Sequence, residues 1–431
     1  MLLNIKSKLK RRVDSLGRFL HIDAAYLISG SFWLSIGKII NMATSLLLSI
    51  LYARYISKTT YGDYRYVLSI IGMFGIFTLP GIATSLQRAI ARGHEKSYAR
   101  GAKLIFIGSF GISICSLLAC LFFYSKNNIG LAIGFLIAAL LVPFSEGLGT
   151  WRGYFEGKGE FKKKTSLNTF GYISYAFFMV SAVSIIFYLN LSNTSGFLLL
   201  LTFYFLSSAI PNTILFRRTI KSIPENATEE EGAIRYGLNL SILNIPATIG
   251  NYLDAVLLHY FLGANALAIY SFAIAPLEQL KAFLSTIPDV AFQKLSRRTN
   301  NENSLRNLQA TLPGKAIKAS AITGLIIIVY ILAAPYLFQI LFPRYIQSIY
   351  YSQVFALSLI LFPFGILSTA LKAEGNLRKI YIYNIGAPSI QILALIILIP
   401  NFGLWGAIYG RIIGRFAYSL LPYFLFRVKN I

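Results

Sequence analysis

Eleven ionisable side chains stand inside otherwise apolar stretches of this 431-residue sequence: Lys38, Arg54, Arg65, Lys281, Arg411 and Arg415, with Asp63, Glu146, Asp254, Glu278 and Asp289. An ionisable group at the centre of a bilayer costs about 2.5–3.5 kcal/mol on insertion scales, so each needs a partner or a wet cavity. Arg411 and Arg415 are four apart, one turn from each other on one helix face. Two stacked guanidinium groups attract an anion. Lys38 and Lys281 are the other cations expected to line the same cationic cavity, through charge-assisted hydrogen bonds. Glu278 stands three before Lys281 and is equally placed to neutralise it. Asp254 has only Gly250, Leu257 and Leu258 as helical neighbours, which makes it the candidate acid for coupling to a proton or sodium ion. Arg54, Asp63 and Arg65 are expected to form interfacial salt bridges, and Glu146 and Asp289 to pair with arginines of nearby loops.

Other chemistries find no footing. Three scattered histidines (His21, His94, His259) have no metal-binding spacing, and no nucleophile, base and acid suggest a hydrolytic triad. Gly157-Lys-Gly159 lacks the Lys-Ser/Thr ending of a phosphate loop. Cys115 and Cys120 read as small hydrophobes in one apolar run. No metal and no organic cofactor are expected.

The elements that carry the charges are membrane helices. The chain is 56% hydrophobic and only 13% charged, with a mean hydropathy of +0.62, yet its net charge is +24. Nucleic-acid binding, the usual reading of so basic a chain, is excluded by that apolar content. Twelve stretches are long enough to cross a bilayer: 29–56, 64–88, 102–124, 129–151, 168–189, 196–216, 236–261, 266–292, 316–338, 350–371, 380–399 and 403–426. The stretch from Leu27 to Ile56 is too long for a cleaved leader and reads as a retained span. Between spans, 31 of the 40 basic residues fall on one side and only Lys58, Lys126 and Arg344 on the other. The positive-inside rule therefore puts both termini in the cytoplasm. Connections on the opposite side are short, which speaks against a membrane-bound glycosyltransferase or polymerase.

The halves repeat. Phe155-Glu-Gly-Lys-Gly-Glu-Phe-Lys162 matches Leu371-Lys-Ala-Glu-Gly-Asn-Leu-Arg378 at an offset of 216. Tyr64, Gln87, Arg88 and Arg92 match Tyr270, Gln293, Lys294 and Arg298 at 206, and Gly196 matches Gly403 at 207. Such a repeat predicts an all-α protein of two pseudo-symmetric six-helix bundles in parallel. The lobes are expected at 29–216 and 236–426, with a cytoplasmic N-terminal segment 1–28, linker 217–235 and tail 427–431. Pro80-Gly81, Pro246, Pro276 and Pro288 are expected to kink or unwind their spans.

The stretch Gly30-Ser-Phe-Trp-Leu-Ser-Ile-Gly-Lys38, the turn from Ala53 to Tyr64, its counterpart from Tyr260 to Tyr270 and the Leu371-Lys-Ala-Glu-Gly375 loop carry a resemblance. They look like the polysaccharide transporters of the multidrug/oligosaccharidyl-lipid/polysaccharide (MOP) exporter superfamily, and are most similar to Wzx-type flippases. That resemblance implies a V-shaped pair of bundles in the cell inner membrane. It implies movement of undecaprenyl-diphosphate-linked oligosaccharide to the outer leaflet by alternating access, for O-antigen or other surface polysaccharide. A polysaccharide polymerase and a chain-length regulator are the partners it implies, beside membrane lipids. Related lipid II flippases carry two further C-terminal spans, and drug antiporters an acid in span 1 where this chain has Lys38, so both subtypes are disfavoured. A drug or metabolite antiporter is the alternative.

Overall fold

The computed structural model describes residues 24–284, 302–374 and 376–427. The basic N-terminal segment to residue 23, Pro288, Asp289, the repeat residues Gln293, Lys294, Arg298 and Gly375, and the tail from 428 lie outside them. The described residues form helices joined by turns, with no strand among them. In order, α1 is Ala24–Tyr55, and α2 is Lys58–Phe74 continued by Pro80–Ala91. Next come α3 (Lys96–Ser125), α4 (Ile129–Ser145), a short helix Trp151–Gly157, α5 (Phe161–Tyr188) and α6 (Asn193–Lys221).

The second half contains two helices too long for one crossing. Ala233–Leu284 has 52 residues and Leu377–Arg427 has 51, so at 1.5 Å per residue each would run to roughly 75–80 Å against a hydrocarbon core of about 30 Å. Both reverse at a glycine with positive φ, Gly263 (φ 79°) and Gly403 (φ 57°), a conformation that costs other residues steric strain. They thus become α7 (233–262) and α8 (264–284), and α11 (377–402) and α12 (404–427). Between them lie α9 (Glu302–Leu341) and a broken α10 (Ser348–Ala356, then 3-10 turns over Leu357–Phe364, then Gly365–Glu374). The described helices thus make twelve crossings, as the hydropathy predicts.

Local chemistry sets the ends on the side opposite the basic loops. Ser57, Asn128 and Ser192 cap α2, α4 and α6, accepting hydrogen bonds from the N–H groups of Thr60, Leu131 and Ser195 at 3.1, 3.1 and 3.2 Å. Asn127 and Asn190 occupy the left-handed positions that end α3 and α5. The break at Pro80 occurs as expected: Leu79 is left-handed, and the two parts of α2 meet at 51°. Pro246 and Pro276 do not unwind their helix, in which only Gly263 leaves helical φ/ψ. The outward faces are apolar: on α3, Ile114, Leu118 and Leu121 are 60–65% exposed, a surface stable against lipid and not against water.

Each half packs on itself, with α1 on α5, α3 on α4 and α4 on α6 in the first, and α9 on α10 and α7/α8 on α11/α12 in the second. The halves meet along α2 and α7/α8. On the basic side the Gly81 N–H donates to Ser241 Oγ at 3.0 Å, and Ser85 Oγ donates to the Ala233 carbonyl at 2.5 Å. The linker between lobes is pinned there by the pairs Arg92–Glu230 at 2.8 Å and Arg100–Glu229 at 3.1 Å. On the opposite side Arg54 donates to the Ile340 carbonyl at 2.8 Å, Thr59 to Asn265 at 3.0 Å and Arg344 to the Ile56 carbonyl at 3.4 Å.

Candidate functional site

Four of the five residues expected to matter meet in one cluster inside the second half. Arg411 on α12 donates from Nε to Asp254 Oδ2 on α7 at 2.6 Å, from Nη1 to Glu278 Oε1 on α8 at 3.3 Å, and from Nη2 to the Asn251 carbonyl at 3.0 Å. Arg415, one turn further, donates to Glu278 Oε1 at 2.6 Å and to Ser358 Oγ at 2.5 Å, with its guanidinium over the Phe355 ring. Lys281 Nζ lies 3.5 Å from Glu278 Oε2. Ser358 lies at the start of the 3-10 turns of α10.

The two acids differ in kind. Asp254 is 1% exposed, receives the Tyr270 hydroxyl as well as Arg411, and keeps one oxygen, Oδ1, buried without a partner. Glu278 is 32% exposed and touches all three cations. Three cations and two carboxylates leave a cluster of net +1. The anion that the Arg411–Arg415 spacing calls for is thus supplied by the chain itself. The partner Asp254 lacks along its own helix arrives from α12, 157 residues away. Lys38 stands apart on α1, in the other half, on an exposed face of the helix.

Between the halves, α1, α8 and α9 part to leave an apolar gap of about 480 Å³. Ile39, Met42 and Leu46 line it from α1, Pro276 from α8, and Leu337 and Leu341 from α9.

A second, polar cavity of about 350 Å³ opens in the first half among α1, α4, α5 and α6. α4 stops at Ser145, and the turn to the helix Trp151–Gly157 delivers Glu146, Trp151 and Arg152 to its wall. Arg152 is held by Asn168 at 3.1 Å and Asn212 at 3.4 Å and lies over the Trp151 ring. Asn212 in turn is fixed by the Trp151 indole N–H at 3.0 Å and the Ser145 carbonyl at 2.6 Å. Tyr175 and Tyr204 continue the wall into a group with Tyr52, Tyr61 and Tyr64, whose ring centroids lie 5.6–6.4 Å apart. Arg65 lies beside these tyrosines, and its Nε is buried without a hydrogen-bond partner among the described residues.

Of the three residues expected in interfacial salt bridges, Arg54 and Arg65 form none among the described residues. Asp63 pairs with His259 at 2.8 Å, and that ring stacks on Tyr66. Arg65 turns to the tyrosines because α2 starts at Lys58, six residues before the hydropathy boundary, which places Arg65 about 10 Å along the helix. Sequence reasoning passed over this cavity. Its signal was the run of polar side chains, Asn168, Tyr172, Tyr175, Tyr204 and Asn212, within apolar spans.

Against known proteins, the profile of the family described as "Polysaccharide biosynthesis protein" matches residues 27–299. Among solved structures the chain is similar to the lipid II flippase MurJ in its inward closed conformation (13% identity, TM-score 0.66, covering 92% of this chain and 87% of that one). It is similar also to a MOP superfamily transporter from Pyrococcus furiosus (16%, 0.63, 92% and 94%) and to a eukaryotic MATE transporter (14%, 0.60, 94% and 96%). No protein with a curated description matches it. At such identities the likeness establishes the fold that these transporters share.

Proposed function

The chain belongs to the polysaccharide biosynthesis protein family, and from that membership we propose that it is a flippase for undecaprenyl-diphosphate-linked oligosaccharide. The observation that carries the reading is the family match over residues 27–299 on a multi-pass MOP fold. Two chemically distinct parts of the substrate, the diphosphate and the isoprenoid chain, each find a matching environment in the interior. The diphosphate suits the net-positive cluster of Lys281, Arg411 and Arg415, whose donors can exchange Glu278 for phosphate oxygens. An isoprenoid chain suits the apolar gap between α1, α8 and α9, beside which Lys38 stands. With the basic loops in the cytoplasm, the head group enters from that side, and rocking of the halves about the α2–α7/α8 seam re-exposes it at the outer leaflet. Asp254 is the acid through which a proton or sodium gradient would act, by releasing Arg411. A polymerase and a chain-length regulator would act on the delivered substrate in the inner membrane.

Reconstitution in proteoliposomes tests this. Lipid-linked oligosaccharide is loaded into one leaflet, and access of an externally added glycosidase is timed. Wild type moves the sugar, whereas Lys281→Gln with Arg415→Gln, which leaves Arg411 and Asp254 paired, slows transfer at least tenfold. Equal transfer by both would refute the cationic site, and no transfer by wild type would refute the flippase. Asp254→Asn abolishes any dependence on an ion gradient, and a persisting dependence rejects its coupling role. Cation efflux in place of sugar transfer would favour the antiporter.

A further inference from the structure

We infer that the polar cavity of the first half is a carbohydrate subsite, separate from the charged cluster of the second. The inference rests on the flippase reading for its biological meaning but on the cavity alone for its chemistry.

One wall is preorganised: Trp151, Asn212, Arg152 and Asn168 form a chain of hydrogen bonds of 3.0–3.4 Å that fixes the guanidinium before any ligand arrives. The facing groups are spare. Asn41 on α1, Glu146 after α4 and Tyr172 on α5 all line the cavity, and none of the three makes a side-chain hydrogen bond among the described residues. Asn41 and Glu146 are exposed and Tyr172 is half-buried, so all three present their polar groups to the open cavity, where a ligand can meet them. Together they offer an amide that donates and accepts, a carboxylate that accepts, and a phenol that does either. Hydroxyl groups, which also both donate and accept, are the ligand chemistry that uses this mixture. Tyr172, Tyr175 and Tyr204 add ring faces on which the C–H side of a pyranose can rest.

Charge separates this site from the other. Glu146 and Arg152 cancel, so the cavity has no net attraction for a phosphate, whereas Lys281, Arg411 and Arg415 outnumber Asp254 and Glu278. Its volume of about 350 Å³ falls within the range of small-molecule sites, roughly 300–1,000 Å³. That is room for a sugar unit and not for a whole oligosaccharide.

The test uses the purified full chain in detergent and saturation-transfer NMR. The probes are glucose, galactose, N-acetylglucosamine and N-acetylgalactosamine, with inorganic pyrophosphate measured in parallel. At least one sugar binds wild type, and Asn41→Ala and Tyr172→Phe each weaken it about 2- to 10-fold, the effect of one lost hydrogen bond. Glu146→Gln weakens it further, and pyrophosphate binding stays unchanged in Asn41→Ala and Tyr172→Phe, which leave the cavity's charge as it is. Among the described residues Asn41 and Tyr172 hold nothing else in place by hydrogen bonding, so these variants keep the wild-type melting temperature. Binding that is equal in wild type and variants overturns the site, and so does a wild type to which no sugar of the panel binds at tens of millimolar. Failure of translocation in proteoliposomes alongside variant-sensitive sugar binding would instead sink the flippase reading and leave the subsite standing.

Discussion

The pair of Asp254 and Arg411 joins α7 to α12 deep in the second half, and its removal should cost stability. Breaking a buried ion pair by deleting one partner costs about 3–5 kcal/mol, because the other charge is stranded. Asp254→Leu strands Arg411 only in part, since Glu278 at 3.3 Å and the Asn251 carbonyl at 3.0 Å still receive it. It also orphans the Tyr270 hydroxyl, which adds about 1–3 kcal/mol. We therefore expect a loss of about 4–5 kcal/mol for Asp254→Leu and about 3–4 kcal/mol for Arg411→Met. The double variant removes both charges and leaves Tyr270 unpaired, so it falls short of wild type by only about 2 kcal/mol, and adding Tyr270→Phe recovers most of the remainder. Unfolding by titration with sodium dodecyl sulfate in mixed micelles, read by far-UV circular dichroism, gives the four corners of the cycle. Two single effects that sum to the double within about 0.5 kcal/mol would mean that the side chains do not interact, and the pairing would be refuted.

Glu278 is the internal rival of any anion at the cluster. Glu278→Gln raises its net charge by one, and inorganic pyrophosphate should bind about tenfold tighter by calorimetry, an effect of order 1.4 kcal/mol; unchanged affinity would place the diphosphate elsewhere. The linker is held to α2 and α3 by Glu229 and Glu230, so Glu230→Lys should speed proteolysis within 222–232 several-fold, and high salt should reproduce that in wild type because both pairs are surface-exposed. On the basic side, just before α3, Glu95 is desolvated by burial, which raises its carboxyl pKa, but the hydrogen bonds from Tyr154 at 2.5 Å and Lys158 at 3.2 Å outweigh this and hold it below its ordinary value. A depressed folded pKa contributes stability that is present above the unfolded value and lost as pH falls through the folded one. The melting temperature of wild type should thus exceed that of Glu95→Gln at neutral pH, and the gap should close below the ordinary carboxylate range.

What the sequence carried and what it withheld divide along the distance of the interaction. Helix number, the breaks at Pro80 and the reversal before span 12 follow from hydropathy and from residues whose backbone preferences act within a few positions. The Arg411–Arg415 spacing is of that kind and places both on one face. Asp254 is different: i+3 and i+4 counting reports its own helix, which is neutral, while its partner comes from a helix distant in sequence and adjacent only in the folded lobe. Arg65 failed by another route. Hydropathy starts span 2 at Tyr64, but the Ser57 cap starts the helix two turns earlier, so a residue that looked interfacial sits among tyrosines. The first-half cavity was missed because it depends on the end of α4 at Ser145, and a span drawn from 129 to 151 runs past the Ser145-Glu-Gly-Leu-Gly149 stretch that marks that end.

The repeat gives these two interiors a common frame. Tyr64 and Tyr204 precede Tyr270 and Arg411 by 206 and 207 residues, the same offsets that relate Ser57 to Gly263 and Gly196 to Gly403 at the helix starts. At the equivalent station the first half therefore has tyrosine where the second has arginine. The acids follow suit: 206 residues before Asp254 and Glu278 stand Leu48 and Gly72, neither of which can carry charge. A guanidinium at 204 would find Glu146 in the same cavity but no carboxylate at the stations equivalent to 254 and 278, and one at 411 without Asp254 would lose its most buried partner. Of the two matching stations, one is aromatic and the other ionic. A ligand that is sugar at one end of its head group and diphosphate at the other meets both chemistries without either lobe having to provide the two together.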